Sequence, residues 1–90
     1  MHVASMRLEL RLADCRTSGQ RRRLLEAMIP TLRRHFNVAL AEVDGPADTC
    51  LAAAAVDENR RDARDTLKKV ADAVAAHPRV VVVSRAIHDL

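Results

Sequence analysis

The segment TCLAAAAV, residues 49–56, has four consecutive alanines that are compatible with either a strand or a helix, and the fold depends on which of the two it forms. Alanine by itself prefers the helix. Three features favour a strand: the run is short, the turn signal GPAD (45–48) comes directly before it, and a helix start at Asp57 or Asn59 follows at once. We therefore predict a hairpin that joins NVALAEVD (37–44) to a third strand over 49–56.

Upstream of this hairpin the sequence predicts one strand and one helix. MRLELRL (6–12) alternates apolar and charged residues, the period of a half-buried strand. Thr17 or Ser18 can then cap a helix by accepting a hydrogen bond from a free backbone N–H. Pro30 falls opposite the apolar stripe of this helix, where we expect a bend. The stripe consists of Leu25, Met28, Ile29, Leu32 and Phe36.

Downstream, a second helix ends at His77-Pro78, and RVVVVSRAI (79–87) forms the last strand. The inward residues of that helix are Ala63, Leu67, Val70 and Val74. The order β-α-β-β-α-β predicts one α+β domain over residues 1–90, a ferredoxin-like split βαβ sandwich. Its four-stranded antiparallel sheet has the order 4-1-3-2 and carries both helices on one face.

The other face of this sheet is predicted to be uncovered. Small and β-branched side chains on it, and four valines in a row on an edge strand, favour pairing with another copy of the chain. We expect a homo-oligomer, in the simplest case a dimer. The interface candidates are Val81, Val83, Arg85, Ala39, Ala41 and Val43.

Composition restricts the classes of function. Cys15 and Cys50 lie far apart without a CxxC pair, so we expect two ordinary thiols. No apolar run approaches the roughly 20 residues that span a bilayer, and the charged N-terminus differs from a signal peptide, so we expect a cytoplasmic protein without membrane contact. The histidines lack the spacing of a zinc site, and we expect neither a metal nor a cofactor. They are His2, His35, His77 and His88.

Positive charge is concentrated in the first helix. Between Arg16 and Phe36 six arginines face Glu26 alone, whereas five bases and five acids cancel between Asp57 and His77. We take four arginines of the first helix as candidates for binding the phosphates of nucleic acid. In the alternative they are only solvated, and one of them pairs with Glu26 at i,i+4. The candidates are Arg22, Arg23, Arg33 and Arg34.

Other chemistry has weaker support in the residue pattern. Glu42 and Asp44 should share one face of a strand, where two carboxylates can bind a cation. Alternatively, Glu42 pairs with an arginine and Asp44 starts the turn. Cys15 precedes a helix start, a setting that can activate a thiol, so an enzyme that uses Cys15 and Arg16 is a third hypothesis.

The segment LELRLADCRTSGQRRRLLEAMIPTLRRHFNVALAEVD resembles the opening of the YlxP-like family, small bacterial proteins of unknown function with a ferredoxin-like fold. The resemblance extends over essentially the whole chain. It departs where Thr17-Ser18-Gly19-Gln20 stands in place of a lysine-containing entry to the helix, and no tryptophan is present. The matching positions are Cys15, Arg16, Arg22, Arg23, Leu25, Leu32, Phe36, Asn37, Val38, Ala41, Glu42, Val43 and Asp44.

What the resemblance implies is a role near RNA or the ribosome, because genes of this family often neighbour translation-factor genes, including that of ribosome-binding factor A. No catalytic activity is implied. The sequence therefore favours a non-catalytic interaction protein that binds RNA or the ribosome through its first helix. The alternative is a structural homo-oligomer that binds a protein or a small apolar ligand on its open sheet face.

Overall fold

The computed structural model describes residues 1–45 and 49–90. Apart from Gly45, the turn predicted at 45–48 lies outside the described residues. Neither described helix is long and apolar enough to cross a membrane. The elements are β1 (His2–Leu12), α1 (Ser18–His35), β2 (Ala39–Val43), β3 (Thr49–Asp57), α2 (Arg60–Ala75) and β4 (Val80–Asp89).

The alanine run is a strand, as predicted. The predicted segment 49–56 forms most of β3, which pairs antiparallel with β1 on one side and with β2 on the other. Ala53, for example, lies opposite Met6 of β1 and Leu40 of β2. The sheet order is β2-β3-β1-β4, which is the predicted 4-1-3-2 read in the opposite direction. Pairing on both sides outweighs the weak strand propensity of alanine.

Both helices pack on the same face of the sheet. Every second side chain of β1 from Ala4 to Leu12 belongs to one buried cluster with residues of α1 and α2. Leu67, Val70 and Val74 of α2 are fully buried. Each buried leucine or valine contributes on the order of 2 kcal/mol through the hydrophobic effect. The core therefore lies between the sheet and the helix layer.

Side-chain caps fix the start of each helix. Thr17 caps α1: its Oγ1 accepts from the backbone N–H of Gln20 at 3.2 Å, and the Gln20 side chain accepts from the Thr17 N–H at 3.2 Å. Asn59 caps α2 by accepting from Arg61 N at 2.8 Å. The first helix is continuous through the exposed Pro30 as far as His35.

A β-bulge in β4 corrects one prediction. Glu9 lies opposite Ser84 but Leu10 lies opposite Val82, so Val83 is an extra residue in the ladder. Beyond the bulge the alternation is inverted, and Arg85 lies opposite Leu8, on the helix-covered side. The expectation that Arg85 belongs to the open face is wrong, because one inserted residue moves the following side chains to the other face.

Candidate nucleic-acid interface and open sheet face

The four arginine candidates of α1 project from its solvent side, and we call them the α1 ridge. All four residues are exposed. Positions 22 and 33, and likewise 23 and 34, are eleven residues apart, which is about three helical turns or 16 Å. Arginines eleven positions apart therefore lie on nearly the same side of the helix, and the ridge is long enough to face several phosphates. The ridge consists of Arg22, Arg23, Arg33 and Arg34.

The α1 ridge has no carboxylate partner within the described residues. The first turn of α1 contains no acidic residue, and the alternative pair of Arg22 with Glu26 is not formed. The ion pairs described all lie elsewhere: Met1–Glu58, Arg7–Glu9, Arg60–Asp89, Arg64–Asp89 and Lys68–Asp65. No arginine of the ridge therefore forms an ion pair within the described part of the fold.

Arg33 differs from the rest of the ridge. Its Nη2 donates to the backbone carbonyl of Leu40 on the edge strand β2. Arg34 makes only a 3.5 Å contact with Thr31 Oγ1, which is too long for a strong hydrogen bond. Arg33 thus joins α1 to the sheet edge, while Arg22, Arg23 and Arg34 remain available to a ligand.

Of the two carboxylates predicted to share a strand face, only Glu42 lies within β2. Glu42 lies opposite Leu51 and lines a groove beside α1 with Arg22 and Arg33. β2 ends at Val43, and the backbone carbonyl of Asp44 accepts from Arg7 Nη2 at 2.9 Å. Within residues 1–45 and 49–90 no group of three or more potential metal-ligating side chains occurs.

The open sheet face carries several exposed apolar side chains. Val56, Val81 and Val83 are 50%, 55% and 50% exposed. Ala39, Ala41 and Val43 lie opposite Ala54, Ala52 and Cys50. Of the six interface candidates, four belong to this face and Val83 lies at the bulge. Arg85 does not belong to it.

The open face also carries a polar cluster, whose burial the sequence did not predict. Arg7 Nη2 lies 3.6 Å from Glu9 Oε1, and the Glu9 side chain is only 13% exposed. Glu9 Oε2 is buried without a hydrogen-bond partner among the described residues. Glu9 lies opposite Cys50, which is fully buried although it points away from the helices.

Gly45 covers this polar cluster. A Cβ atom at Gly45 would lie 2.7 Å from Cys50 Cβ and 2.8 Å from Glu9 Oε2. Burial raises the pKa of the Cys50 thiol, the Glu9 carboxylate raises it further, and Arg7 acts in the opposite direction. The strand alternation alone could not show that Glu9 is buried, because only the register between strands brings Glu9 beside Cys50.

The thiol of the enzyme hypothesis has an unexpected neighbour. Arg79 Nη2 donates to Cys15 Sγ at 3.4 Å, whereas the hypothesis invoked Arg16. Both cysteines are free thiols, Cys15 being half-buried. No histidine or carboxylate hydrogen-bonds to Cys15 in the described part of the chain, so the contacts there supply no base for a nucleophile.

An apolar groove of about 470 Å³ runs between the two helices rather than on the open sheet face. The groove is lined by Ala73 of α2 and, on the α1 side, by Met28, Leu32 and Phe36. His35 and His77 also line it. The sequence stripe of α1 predicted these apolar residues as core, and it could not show that the helices leave this space between them.

Among known proteins, no curated protein matches the chain significantly. A family model described as "Protein of unknown function (DUF503)" matches residues 3–87, which include both helices, β2 and β3 in full and most of β1 and β4. The chain therefore belongs to the DUF503 family of proteins of unknown function.

Proposed function

We propose that this chain is a non-catalytic RNA-binding protein whose α1 ridge contacts the phosphate backbone of RNA, either free or on a ribosomal surface. The observation that carries the proposal is the absence of a described carboxylate partner for any arginine of the ridge. Guanidinium groups bind phosphate oxygens through paired, charge-assisted hydrogen bonds. An RNA backbone supplies such oxygens at regular intervals along a helix of this length.

The expected mode of recognition is contact with the backbone rather than with bases. Proteins that read single-stranded RNA stack bases on exposed aromatic side chains. Phe36 is the only aromatic residue of the chain, and it is packed against the core. Binding should therefore depend strongly on salt and weakly on RNA sequence.

We further propose that the chain is a YlxP-like, bacterial and cytoplasmic member of its family. The support is the residue match at Cys15-Arg16 and at Phe36-Asn37-Val38, followed by Ala41 to Asp44. The gene neighbourhood of YlxP-like proteins agrees with work on RNA or the ribosome. The departure at Thr17 to Gln20 leaves Arg22 and Arg23 in place.

The test is a triple variant, Arg22→Gln, Arg23→Gln and Arg34→Gln, which spares the Arg33 contact with the sheet. The control removes three charges elsewhere, with Arg11→Gln, Lys69→Gln and Arg79→Gln. RNA retention is measured between about 50 and 200 mM salt, where each lost phosphate contact lowers the slope of log K against log salt by about 0.7 to 0.9. We expect the slope to fall by about two in the triple variant only. Equal retention by wild type and triple variant would refute the proposal.

Co-sedimentation separates free RNA from a ribosomal surface. Wild-type chain that pellets with ribosomal subunits at low salt and is released at moderate salt would assign the ribosome as the carrier of the RNA. The triple variant should then remain in the supernatant at both salt concentrations. Pelleting that is the same for both proteins would exclude the α1 ridge from ribosome binding.

A second candidate function is structural: a homodimer formed through the open sheet face. The half-exposed valines Val56 and Val81, on one face with exposed alanines, favour it. Wild type should sediment as a dimer, and Val81→Asp should sediment as a monomer. Ala75→Asp, at an exposed helix position, serves as the control and should remain a dimer. A monomeric wild type at high concentration rules this candidate out.

A further inference from the structure

The charges between Asp57 and His77 cancel in the sequence but are separated in space. Arg60, Arg64 and Lys68 recur every four residues and therefore lie along one side of the helix. Together with His2, Asn59, Arg61 and Asp65 they line an open groove of about 560 Å³. We call Arg60, Arg61, Arg64 and Lys68 the α2 flank. A net charge of zero along this part of the sequence does not reveal the basic surface, because the bases lie together on one side of the helix.

The α2 flank has more cations than carboxylates. Asp89 of β4 forms ion pairs with two arginines: its Oδ1 lies 3.1 Å from Arg64 Nη1, and its Oδ2 lies 3.9 Å from Arg60 Nε. Lys68 Nζ is 4.0 Å from Asp65 Oδ1, and both side chains are about half exposed, so this pair is weak. Arg61 has no carboxylate partner in the described part of the chain. Four cations thus share two carboxylates.

Asp89 also positions the two arginines that it binds. The Arg64 side chain is 34% exposed, the lowest value among the bases in the ion pairs of this flank. A guanidinium held by one carboxylate keeps further N–H donors for a second anion. Because its conformation is already restricted, less side-chain entropy is lost when that anion binds.

The α2 flank and the α1 ridge face different edges of the sheet. Arg33 of the ridge contacts the edge strand β2, and Arg64 of the flank contacts Asp89 on the opposite edge strand β4. With four strands spaced by about 4.8 Å, the edge strands are about 14 Å apart.

We infer that the α2 flank is a second phosphate-binding surface, so that one chain contacts two separate segments of RNA backbone. This inference rests on the proposed function, because it assigns the same class of ligand to a second surface. A polyanion suits the flank better than a protein partner does, since five of the seven described residues that line the groove are charged and none of the seven is aliphatic.

The experiment changes the two flank residues that are not bound to Asp89. Arg61→Gln with Lys68→Gln is compared with Arg11→Gln plus Lys69→Gln, which removes the same charge elsewhere. Duplex RNA binding is followed over the same salt range. We expect the flank variant to lower the salt slope by about one and a half, and the control to leave the slope unchanged. Added to the α1 triple variant, the flank pair should abolish the remaining retention.

The outcomes separate this inference from the proposed function. If the α1 triple variant loses its slope while the flank pair keeps the wild-type slope, the second surface is refuted and the first stands. The reverse result refutes the α1 ridge and supports the flank. Vesicles containing phosphatidylserine test the other class of partner. A flank pair that loses vesicle binding but keeps the RNA slope overturns the inference in favour of a membrane surface.

Discussion

At the scale of single residues, Gly45 occupies a position without space for a side chain. A Cβ atom there would meet Cys50 Cβ at 2.7 Å, and the φ of Gly45 is not positive, so close approach rather than backbone freedom explains the glycine. We expect Gly45→Ala to lower the free energy of unfolding by about 1–3 kcal/mol through overpacking. Urea unfolding followed by circular dichroism measures it.

Gly19 provides the matched control for this change. It lies in the first turn of α1, is exposed, and a Cβ there would be 3.8 Å from Thr17 Oγ1, an ordinary contact. Gly19→Ala should leave stability unchanged or raise it by up to about 1 kcal/mol, since alanine favours the helix. A Gly45→Ala protein as stable as Gly19→Ala would show that the loop moves away from Cys50 at no cost.

The Cys50 thiol makes stability depend on alkaline pH. Its folded pKa lies above the ordinary value of 9.0, mainly because the thiol is buried. The folded chain therefore holds the thiol proton more tightly than the unfolded chain does. This stabilisation is complete below pH 9.0 and is lost as the pH rises through the folded pKa.

Urea unfolding at a series of pH values tests the sign of this effect. We expect wild type to lose stability above about pH 9 more steeply than Cys50→Ala does, because the variant lacks the thiol whose pKa is raised by folding. All other ionisable groups are the same in both proteins, so the difference between the two pH profiles isolates Cys50. Parallel pH profiles would contradict the assignment.

At the scale of elements, Arg33 connects α1 to β2. Because its guanidinium donates to the Leu40 carbonyl, we expect Arg33→Gln to lower the free energy of unfolding by about 1 kcal/mol. Arg34→Gln is the control, since Arg34 makes only the long contact with Thr31 Oγ1. Thermal and urea unfolding compare them. If Arg34→Gln destabilises the protein as much as Arg33→Gln, the strand contact has no special role.

The two neighbouring arginines illustrate which part of the site a sequence predicts. The sequence predicted both as phosphate-binding candidates on α1, and both are exposed there. Their different roles depend on the position of the edge strand, which is brought beside α1 by pairing with β3. No local pattern contains that information, because residues 33 and 40 meet only after the sheet forms.

At the scale of the whole molecule, the helix layer is unequally packed. The large side chains that are fully buried come from β1, β3 and α2, whereas the buried leucines of α1 keep 3–8% exposure. We expect native-state hydrogen exchange to show α1 amides exchanging before those of α2 and β1. Exchange of both helices in one cooperative step would contradict this order. RNA bound by the α1 ridge should slow exchange in α1 most.

Several features could be predicted from the sequence alone. They are the element order, the strand conformation of the alanine run, the apolar stripe of each helix and the concentration of arginine on α1. These features follow from periodicity and from turn and cap residues that act over a few positions. Local chemistry is enough to establish them.

Other features become visible only in the three-dimensional structure. They are the sheet face of Arg85, the burial of Glu9 and Cys50, the contact of Arg33 with β2 and the separation of charge on α2. Each depends on strand register or on the approach of elements distant in sequence. A one-residue bulge at Val83 inverts a face, and the pairing of β1 with β3 places Glu9 beside Cys50. Such pairings are set by the packing of the whole sheet, which no short segment of the sequence specifies.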